Sequence, residues 1–367
     1  MKYLKFSPAA MALCILIPLI TGCEKKSPEE DPVEDMEYVD FLFPSGSFRM
    51  IYCPGGTFLT NDDDGDTDFE DGPEVTCEPF WISETEVTNE LLRWIYGSAA
   101  GSLAGTLVGN PFFFNSEDDN AHNYICDDYV RWGGQDLIYM GESFLGGEYD
   151  IYMNPGFNVR DGMNDYPCSD ITWYGAVMAC NWLTMEGLGL GTSRIVYSGI
   201  EEEWWDDATV MHENRLGFRL PTSNEWECAA RWQGSDNSNG AYEYPAGSGS
   251  YWTKGGYASG AAALANNVDA TSVVAVYEYD SATLPNPEDN EKVKGSRTPN
   301  TLGLYDMSGN VWEWCFDEGE GGSGRIMRGG SSQSKYHDVR ISSTWHMGAD
   351  GTGGDLGFRL VMSAEEK

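Results

Sequence analysis

Gly303 to Trp314, which reads GLYDMSGNVWEW, is the stretch of sequence that decides how this chain folds. Side chains alternate between the two sides of an extended backbone, so Trp312 and Trp314 point to one side and Glu313 points to the other. Further along, Gly329-Gly330 permits a close backbone approach or a positive φ where a side chain would clash. The stretch therefore predicts an extended segment with an aromatic side and a carboxylate on the opposite side.

Helix signals occur at three places in the chain. A first helix begins at Thr88-Asn89-Glu90, and Thr172 caps a second. Thr222 and Glu225 form a capping box, in which each side chain satisfies the exposed amide of the other, at the start of a third. The apolar residues that recur at helical spacing are Leu91, Leu92, Ile95 and Tyr96; Ala176, Val177, Cys180 and Leu183; and Trp226, Ala229 and Ala230. Elsewhere short strand-like pieces alternate with glycine-rich turns, which predicts an α+β fold with low regular secondary structure and many loops.

Residues 1–22 have the features of an export signal. Two lysines precede an apolar run from Ala9 to Ile20, which is too short for a comfortable membrane span. Ile20-Thr21-Gly22-Cys23 resembles a bacterial lipobox, which implies cleavage before Cys23 and attachment of lipid to its sulfur. Ordinary secretory cleavage that leaves Cys23 unmodified is the alternative.

Composition divides the remaining chain into a linker, one domain and a tail. Residues 23–46 contain the lipidation cysteine and an acidic, proline-containing linker that is predicted to be disordered. Residues 47–362 show no second break in composition and predict a single irregular domain, followed by a tail at 363–367. We therefore expect an extracytoplasmic protein of the bacterial cell envelope, periplasmic or at the surface, that is held at the membrane by its lipid anchor.

The chain is strongly acidic, with a formal net charge of −37. Such a surface repels phosphate backbones, so nucleic acid is not expected as a partner. It suits divalent cations, basic partners or a saline exterior. Solubility alone is the alternative explanation.

Cysteine usage leaves the redox chemistry open. Seven cysteines remain once Cys14 is removed with the signal and Cys23 is set aside, namely Cys53, Cys77, Cys126, Cys168, Cys180, Cys228 and Cys315. Export permits disulfides, but an odd number leaves at least one thiol unpaired. No CxxC spacing occurs, so neither zinc binding nor thioredoxin-like exchange is indicated.

Four segments together resemble the sulfatase-modifying factor, or formylglycine-generating enzyme, family. In chain order they are PGGTF (54–58) with ETEVTN (84–89), GFRLPT (217–222) with EWE (225–227) and AAR (229–231), PN (299–300) with GLYDMSGNVWEW (303–314), and RGGS (328–331) closed by GFRLV (357–361). The match runs through nearly the whole chain from Pro54 to Val361. The resemblance implies the family's compact mixed α/β fold, which is related to C-type lectins and low in regular structure.

Family members bind calcium, so the resemblance implies a structural calcium site in this chain. Asp306 and Glu313 would donate carboxylate oxygens, and Gly309 and Val311 would donate backbone carbonyls. The alternative is that Asp306 caps a turn and Glu313 pairs with an arginine such as Arg328.

A second family calcium site would fall at Asn266 and Asn267. The ligands that should follow are displaced by an insertion from Asp269 to Lys292, which puts this second site in doubt.

Active family members hold copper between two cysteines on the tract after Gly-Gly-Ser, because thiolates and Cu(I) are both soft. The first cysteine aligns with Ser334 and the second falls near Val339, yet no cysteine follows Cys315. A serine hydroxyl has neither the low pKa nor the softness to replace a thiolate, so copper is not expected. Trp312 and Ser331 match residues that line the family's groove, and we expect that groove to persist without its copper.

Two classes of function remain after this loss. The favoured hypothesis is a non-catalytic binding or scaffold lipoprotein, a pseudoenzyme whose aromatic groove holds an extended peptide or a glycan. His337, Asp338 and His346 could instead form a two-histidine, one-carboxylate iron site, which would make the chain a non-heme iron oxidase. Genuine sulfatase modification is the third hypothesis.

Overall fold

A computed structural model describes residues 37–60, 72–102, 125–126, 129–132, 135–139, 162–187, 192–199, 210–212, 215–278, 293–322 and 324–364. Cys23, the predicted lipidation site, lies outside these residues. None of the helices in the described ranges is both long enough and apolar enough to cross a membrane.

The three predicted helices are present, and a fourth joins them. They are α1 (Asn89–Ser102), α2 (Trp173–Trp182), α3 (Ser223–Arg231) and α4 (Val268–Val274). Thr172 accepts a hydrogen bond from the amide of Gly175 and caps α2. At α3 the predicted capping box is complete, since Thr222 accepts from the amide of Glu225 and the Glu225 carboxylate accepts from the amide of Thr222. The α4 helix follows Asn267, which caps it, and the sequence analysis did not predict it.

Strands are short and numerous, as the glycine-rich sequence predicts. In chain order they are β1 (Tyr38–Phe43), β2 (Gly46–Cys53), β3 (Gly56–Leu59), β4 (Glu74–Cys77), β5 (Phe80–Ser83), β6 (Ile125–Cys126), β7 (Tyr129–Trp132), β8 (Gln135–Tyr139), β9 (Tyr197–Ser198), β10 (Val210–Met211), β11 (Phe218–Arg219), β12 (Trp232–Gly234), β13 (Ala241–Glu243), β14 (Tyr251–Thr253), β15 (Trp312–Glu318), β16 (Arg325–Arg328), β17 (Thr344–Met347), β18 (Leu356–Gly357) and β19 (Val361–Ser363).

A five-stranded sheet in the order β1-β2-β5-β19-β11 separates two hydrophobic clusters. Alternation along β2 places Met50 in the first cluster and Ile51 in the second. Helices α1 and α2 pack in the first cluster, and α3 packs in the second. Strand β1 pairs with β2 along its whole length, so the five-stranded sheet extends back to Tyr38. The predicted linker, residues 23–46, therefore includes this six-residue strand, which the charged residues around it made hard to recognise.

A four-stranded sheet in the order β17-β16-β15-β18 includes Trp312 to Trp314, the end of the stretch GLYDMSGNVWEW. On β15, Trp312 and Trp314 both pack in the first cluster, while Glu313 points to the opposite side, as predicted. The Trp314 indole donates to the carbonyl of Ile171, which ties the strand to the segment before α2. Strand β17 forms the outer edge of the sheet.

A buried ion pair joins the two sheets. Arg359 donates through Nε and Nη2 to the two carboxylate oxygens of Glu313, at 2.7 and 2.6 Å, and neither side chain is exposed. The indole of Trp226 on α3 donates to the same carboxylate at 2.7 Å. The remaining donors of Arg359 reach the carbonyls of Ser83 and Tyr305. All the polar atoms of the pair are therefore hydrogen-bonded, which is the condition under which a buried charge pair is tolerated.

We expect Arg359→Met to destabilise the protein by about 3–5 kcal/mol, because it leaves the Glu313 carboxylate buried without its counter-charge. The double variant Glu313→Gln/Arg359→Met removes both charges and keeps an acceptor for Trp226, so it should be more stable than Arg359→Met alone. Urea unfolding followed by tryptophan fluorescence measures the free energy of unfolding of the double variant and of the two single variants, Arg359→Met and Glu313→Gln. If the double variant lost as much stability as the sum of the two single variants, the pair would not be coupled.

Candidate functional site

The tract from Arg328 to Ser343 turns back on itself at two glycines. Gly330 has φ of +73°, and a Cβ there would lie 2.9 Å from Val339 Cγ1 and 3.0 Å from the carbonyl oxygen of Asp338. Gly329 also has a positive φ, of +91°. The prediction from the glycine pair is confirmed: only glycine fits this backbone, and the turn brings the rest of the tract against β15 and β18.

Serine hydroxyls and one carboxylate form the floor of this region. Ser331 Oγ donates to Asp355 Oδ2 at 2.6 Å, and the Ser331 amide donates to Ser334 Oγ at 3.0 Å. The two hydroxyl oxygens lie 3.3 Å apart, and both serines are buried. Ser334 thus supplies only oxygen, held in a hydrogen-bond network, at the position that matches the first cysteine of active family members.

Aromatic side chains form the wall beside this floor. Trp312 is only 8% exposed, and the ring of Trp345 meets it edge-on with centroids 6.5 Å apart. Trp345 itself is 55% exposed, and its indole nitrogen donates to Asp338 Oδ1 at 3.2 Å. Tyr336 is a second exposed aromatic on the same tract and packs edge-on against His337. We call Trp312, Ser331, Ser334, Trp345 and Asp355 the groove.

Two groove residues were missed by sequence reasoning. Trp345 lies outside every motif of the resemblance. The sequence shows it only as an isolated tryptophan in a polar stretch, which forms edge strand β17 in the structure. Asp355 contacts a serine 24 residues away in sequence, and no local pattern announces such a contact. Conversely Trp314, an indole of the predicted aromatic side, is fully buried and cannot meet a ligand.

The candidate iron ligands do not converge. His337 Nε2 lies 3.5 Å from Asp338 Oδ2, but His346 follows Trp345 on β17 and therefore points to the other face of the sheet. There the His346 side chain packs against Gly319. No three His, Cys, Asp or Glu side chains in the described ranges are arranged to hold a metal among themselves. The geometry therefore does not fit the two-histidine, one-carboxylate arrangement.

Three buried acids, Glu86, Asp306 and Glu313, interact electrostatically with one another, and we call them the acid pocket. Glu86 Oε1 accepts a hydrogen bond from Asn310 Nδ2, and Asp306 Oδ2 accepts one from the amide of Gly295. The second oxygens, Glu86 Oε2 and Asp306 Oδ1, are buried and have no hydrogen-bond partner within the described residues. Unsatisfied buried carboxylate oxygens are costly, so the pocket is built for a positive charge or a proton.

Electrostatics in this acid pocket agree with its geometry. Burial, reinforced by the carboxylates of Asp306 and Glu313, raises the pKa of Glu86 well above its usual range. Burial raises the pKa of Asp306 to about 6, although the guanidinium of Arg359 opposes the shift. Glu313 is paired with Arg359, and the charge of Arg297 also lowers the pKa of Asp306. These arginines do not offset the effect of burial on Glu86 and Asp306, so a bound proton or a further positive charge would stabilise the two acids.

Placement of the calcium ligands expected from the resemblance is mixed. Asp306 keeps one open oxygen, which fits a cation, and Glu86 adds a second that the sequence did not suggest. Glu313 is committed to an arginine, as the alternative anticipated, but the partner is Arg359 rather than Arg328. Arg328 instead pairs with Glu227 at 2.8 Å.

At the second expected calcium position, Asn266 and Asn267 lie at the start of a helix. Asn266 and Asn267 are both exposed, and Asn267 Oδ1 accepts from the amide of Ala270 as the cap of α4. The first residues of the predicted insertion therefore belong to this helix. Residues 279–292 of the insertion lie outside the described ranges.

The upstream thiols do not replace the missing pair. Cys168 lies beside Glu86, and Cys180 lies beside Arg219, so the two occupy different surroundings. Burial raises the pKa of both thiols far above the usual range. Neither provides the exposed, low-pKa thiolate that reactive cysteines require.

Comparison with known proteins agrees with this architecture. The Sulfatase-modifying factor enzyme 1-like domain matches residues 47–364. The chain is 26% identical to a formylglycine-generating enzyme of Thermomonospora curvata, over 85% of this chain and 92% of that protein. It is equally 26% identical to an inactive C-alpha-formylglycine-generating enzyme 2 of Mus musculus, over 86% of each. Among solved structures, Treponema denticola variable protein 1 superposes with a TM-score of 0.53 at 22% identity, covering 89% of this chain and 99% of that one.

Proposed function

Because the chain belongs to the sulfatase-modifying factor enzyme 1-like family, we propose that it is a non-catalytic member whose groove binds a ligand rather than oxidising one. Equal identity to an active and an inactive relative means that the family alone does not decide between the two. The residues of the groove support the non-catalytic alternative.

One observation carries the proposal: the floor of the groove offers oxygen where thiolate–copper oxidation needs sulfur. Ser331 Oγ donates to Asp355, Ser334 Oγ accepts from the Ser331 amide, and no cysteine occurs in the chain after Cys315. Hard hydroxyl and carboxylate oxygens do not hold Cu(I), which prefers soft thiolates. A groove with this floor would bind a ligand without the reactive group that the resemblance assigns to active members.

The walls of the groove favour an extended peptide over a glycan. Strand β17 is the edge of its sheet, and Thr344, Trp345 and His346 are all exposed. An exposed sheet edge presents backbone donors and acceptors to which an extended peptide can add as a further strand. Trp345 then offers a ring surface for one of its side chains, with Asp338 beside the ring. The acidity of the chain favours a peptide that carries positive charge.

Location is proposed from the N-terminal sequence. The export signal and the lipobox-like Ile20–Cys23 support a lipoprotein of the bacterial cell envelope, with Cys23 as the anchor. A tethered binding protein would present its groove to partners at the membrane surface.

We further propose that calcium occupies the acid pocket and stabilises the fold. Asp306 and Glu86 would contribute their open carboxylate oxygens, and Gly309 and Val311 would contribute the carbonyls that the resemblance implies. The ion would supply the missing positive charge between acids that repel one another.

Trp345→Ala should abolish ligand binding without changing stability, because the side chain is mostly exposed. Screening a random decapeptide display library against the full chain should enrich peptides whose binding depends on Trp345. Tyr38→Ala, which removes an exposed aromatic from the other sheet, is the matched control and should bind normally. A glycan array run in parallel is the counter-test: binding to glycans alone, or peptide binding indifferent to Trp345, would refute the assignment.

No oxidation of a Cys-X-Pro-X-Arg peptide is expected from the purified protein supplied with Cu(I) and oxygen. The enzyme of Thermomonospora curvata is the positive control, and mass spectrometry reports formylglycine as a loss of mass at the cysteine. Metal analysis of protein purified without chelator should find no stoichiometric copper or iron. Stoichiometric iron would instead favour the oxidase hypothesis.

Removing calcium should lower the melting temperature by about 5 °C or more, because the ion binds only the folded state. Asp306→Asn should lose this dependence on calcium, whereas Asp350→Asn, an exposed acid near the groove, should keep it. Identical melting curves of the wild type in calcium and in chelator would rule out the site.

A further inference from the structure

Three buried thiols lie in the second hydrophobic cluster. None of them is on the tract from Arg328 to Ser343, where the resemblance places the copper-binding cysteines. Cys53 ends β2, Cys77 ends β4, and Cys228 lies in the middle of α3. All three are free thiols in this structure. Neither the proposed binding function nor the acid pocket uses them.

Contacts on α3 bring two of these thiols together. Cys77 Sγ donates to the carbonyl oxygen of Asn224 at 3.4 Å. Asn224 is one helical turn before Cys228, and helical side chains lean towards the N-terminus of their helix. The Cys228 side chain therefore extends over the same turn that the Cys77 thiol touches.

Cys228 is the centre of the group. Its thiol packs with Cys53 and Cys77 in the second cluster. Hydrogen bonding to these two thiols, together with burial, raises the pKa of Cys228 well above the usual range. Cys53 and Cys228 are completely buried, whereas Cys77 is 7% exposed. An incoming disulfide therefore reaches Cys77 first.

We propose that Cys77 and Cys228 form a disulfide bond under oxidising conditions, with Cys53 as a neighbouring free thiol. The oxidant is a small disulfide of the glutathione class. The Cys77 thiolate attacks it and releases one reduced thiol; Cys228, losing its proton, then attacks Cys77 Sγ and releases the second. Two thiols are oxidised to one disulfide, and one disulfide is reduced to two thiols.

The bond would fix the β3–β4 hairpin to α3. These elements already pack together, and the hairpin consists of two paired four-residue strands. The crosslink would close a loop of about 150 residues, and longer loops confer more stability in the chain-entropy account.

The test is to equilibrate the full chain in oxidised or in reduced glutathione, block free thiols with iodoacetamide in denaturant, and map a non-reducing digest by mass spectrometry. In oxidised buffer we expect a peptide that links Cys77 to Cys228, and an alkylated Cys53. Reduction should lower the melting temperature by about 5 °C. Cys53→Ala should keep both the link and this shift, and Cys77→Ala should lose both.

Cys180→Ala serves as the control for removing a buried thiol elsewhere, and it should behave as the wild type does. Three alkylated cysteines in oxidised buffer would overturn the proposal. So would a wild-type link between Cys53 and Cys228, or a reductant-induced shift that persists in Cys77→Ala.

Discussion

The ion pair between Glu313 and Arg359 is the constraint on which the rest of this structure depends. It lies where β15 meets the segment before β19, and it accepts a third partner from Trp226 on α3. A buried pair of this kind adds little net stability over an apolar core, but breaking it is costly, so it selects one arrangement of the two sheets. That arrangement sets both the groove and the acid pocket.

The contacts of the groove do not depend on sulfur. Gly330 and the buried contacts of the serine floor depend on backbone shape and oxygen hydrogen bonds, none of which requires sulfur. A serine at the cysteine position is nearly isosteric, and the Ser334 hydroxyl is hydrogen-bonded by Ser331. Under the proposed function the binding surface would be kept without the redox reaction, because family membership alone says little about activity.

Local signals were sufficient for part of the fold. The capping box at Thr222, the cap at Thr172 and the alternation of Trp312, Glu313 and Trp314 each involve residues within four positions of one another, and the structure confirms them. The choice of Arg359 as the partner of Glu313, the exposure of Trp345 and the placement of Glu86 beside Asp306 depend on distant segments. No periodicity encodes such pairings, because they are decided by how the sheets pack.

Asn310 connects the acid pocket to the groove. Its side chain donates to Glu86 Oε1, and its backbone carbonyl accepts from the amide of Ser332, next to the serine floor. Asn310 has a φ of +66°. The preceding residue is Gly309, whose lack of a Cβ lets its backbone lie against that of Val276. A charge placed in the pocket acts on Glu86, which accepts a hydrogen bond from Asn310. Asn310 in turn accepts one from Ser332, at the start of the floor. The two sites are thus linked through the hydrogen bonds of Asn310.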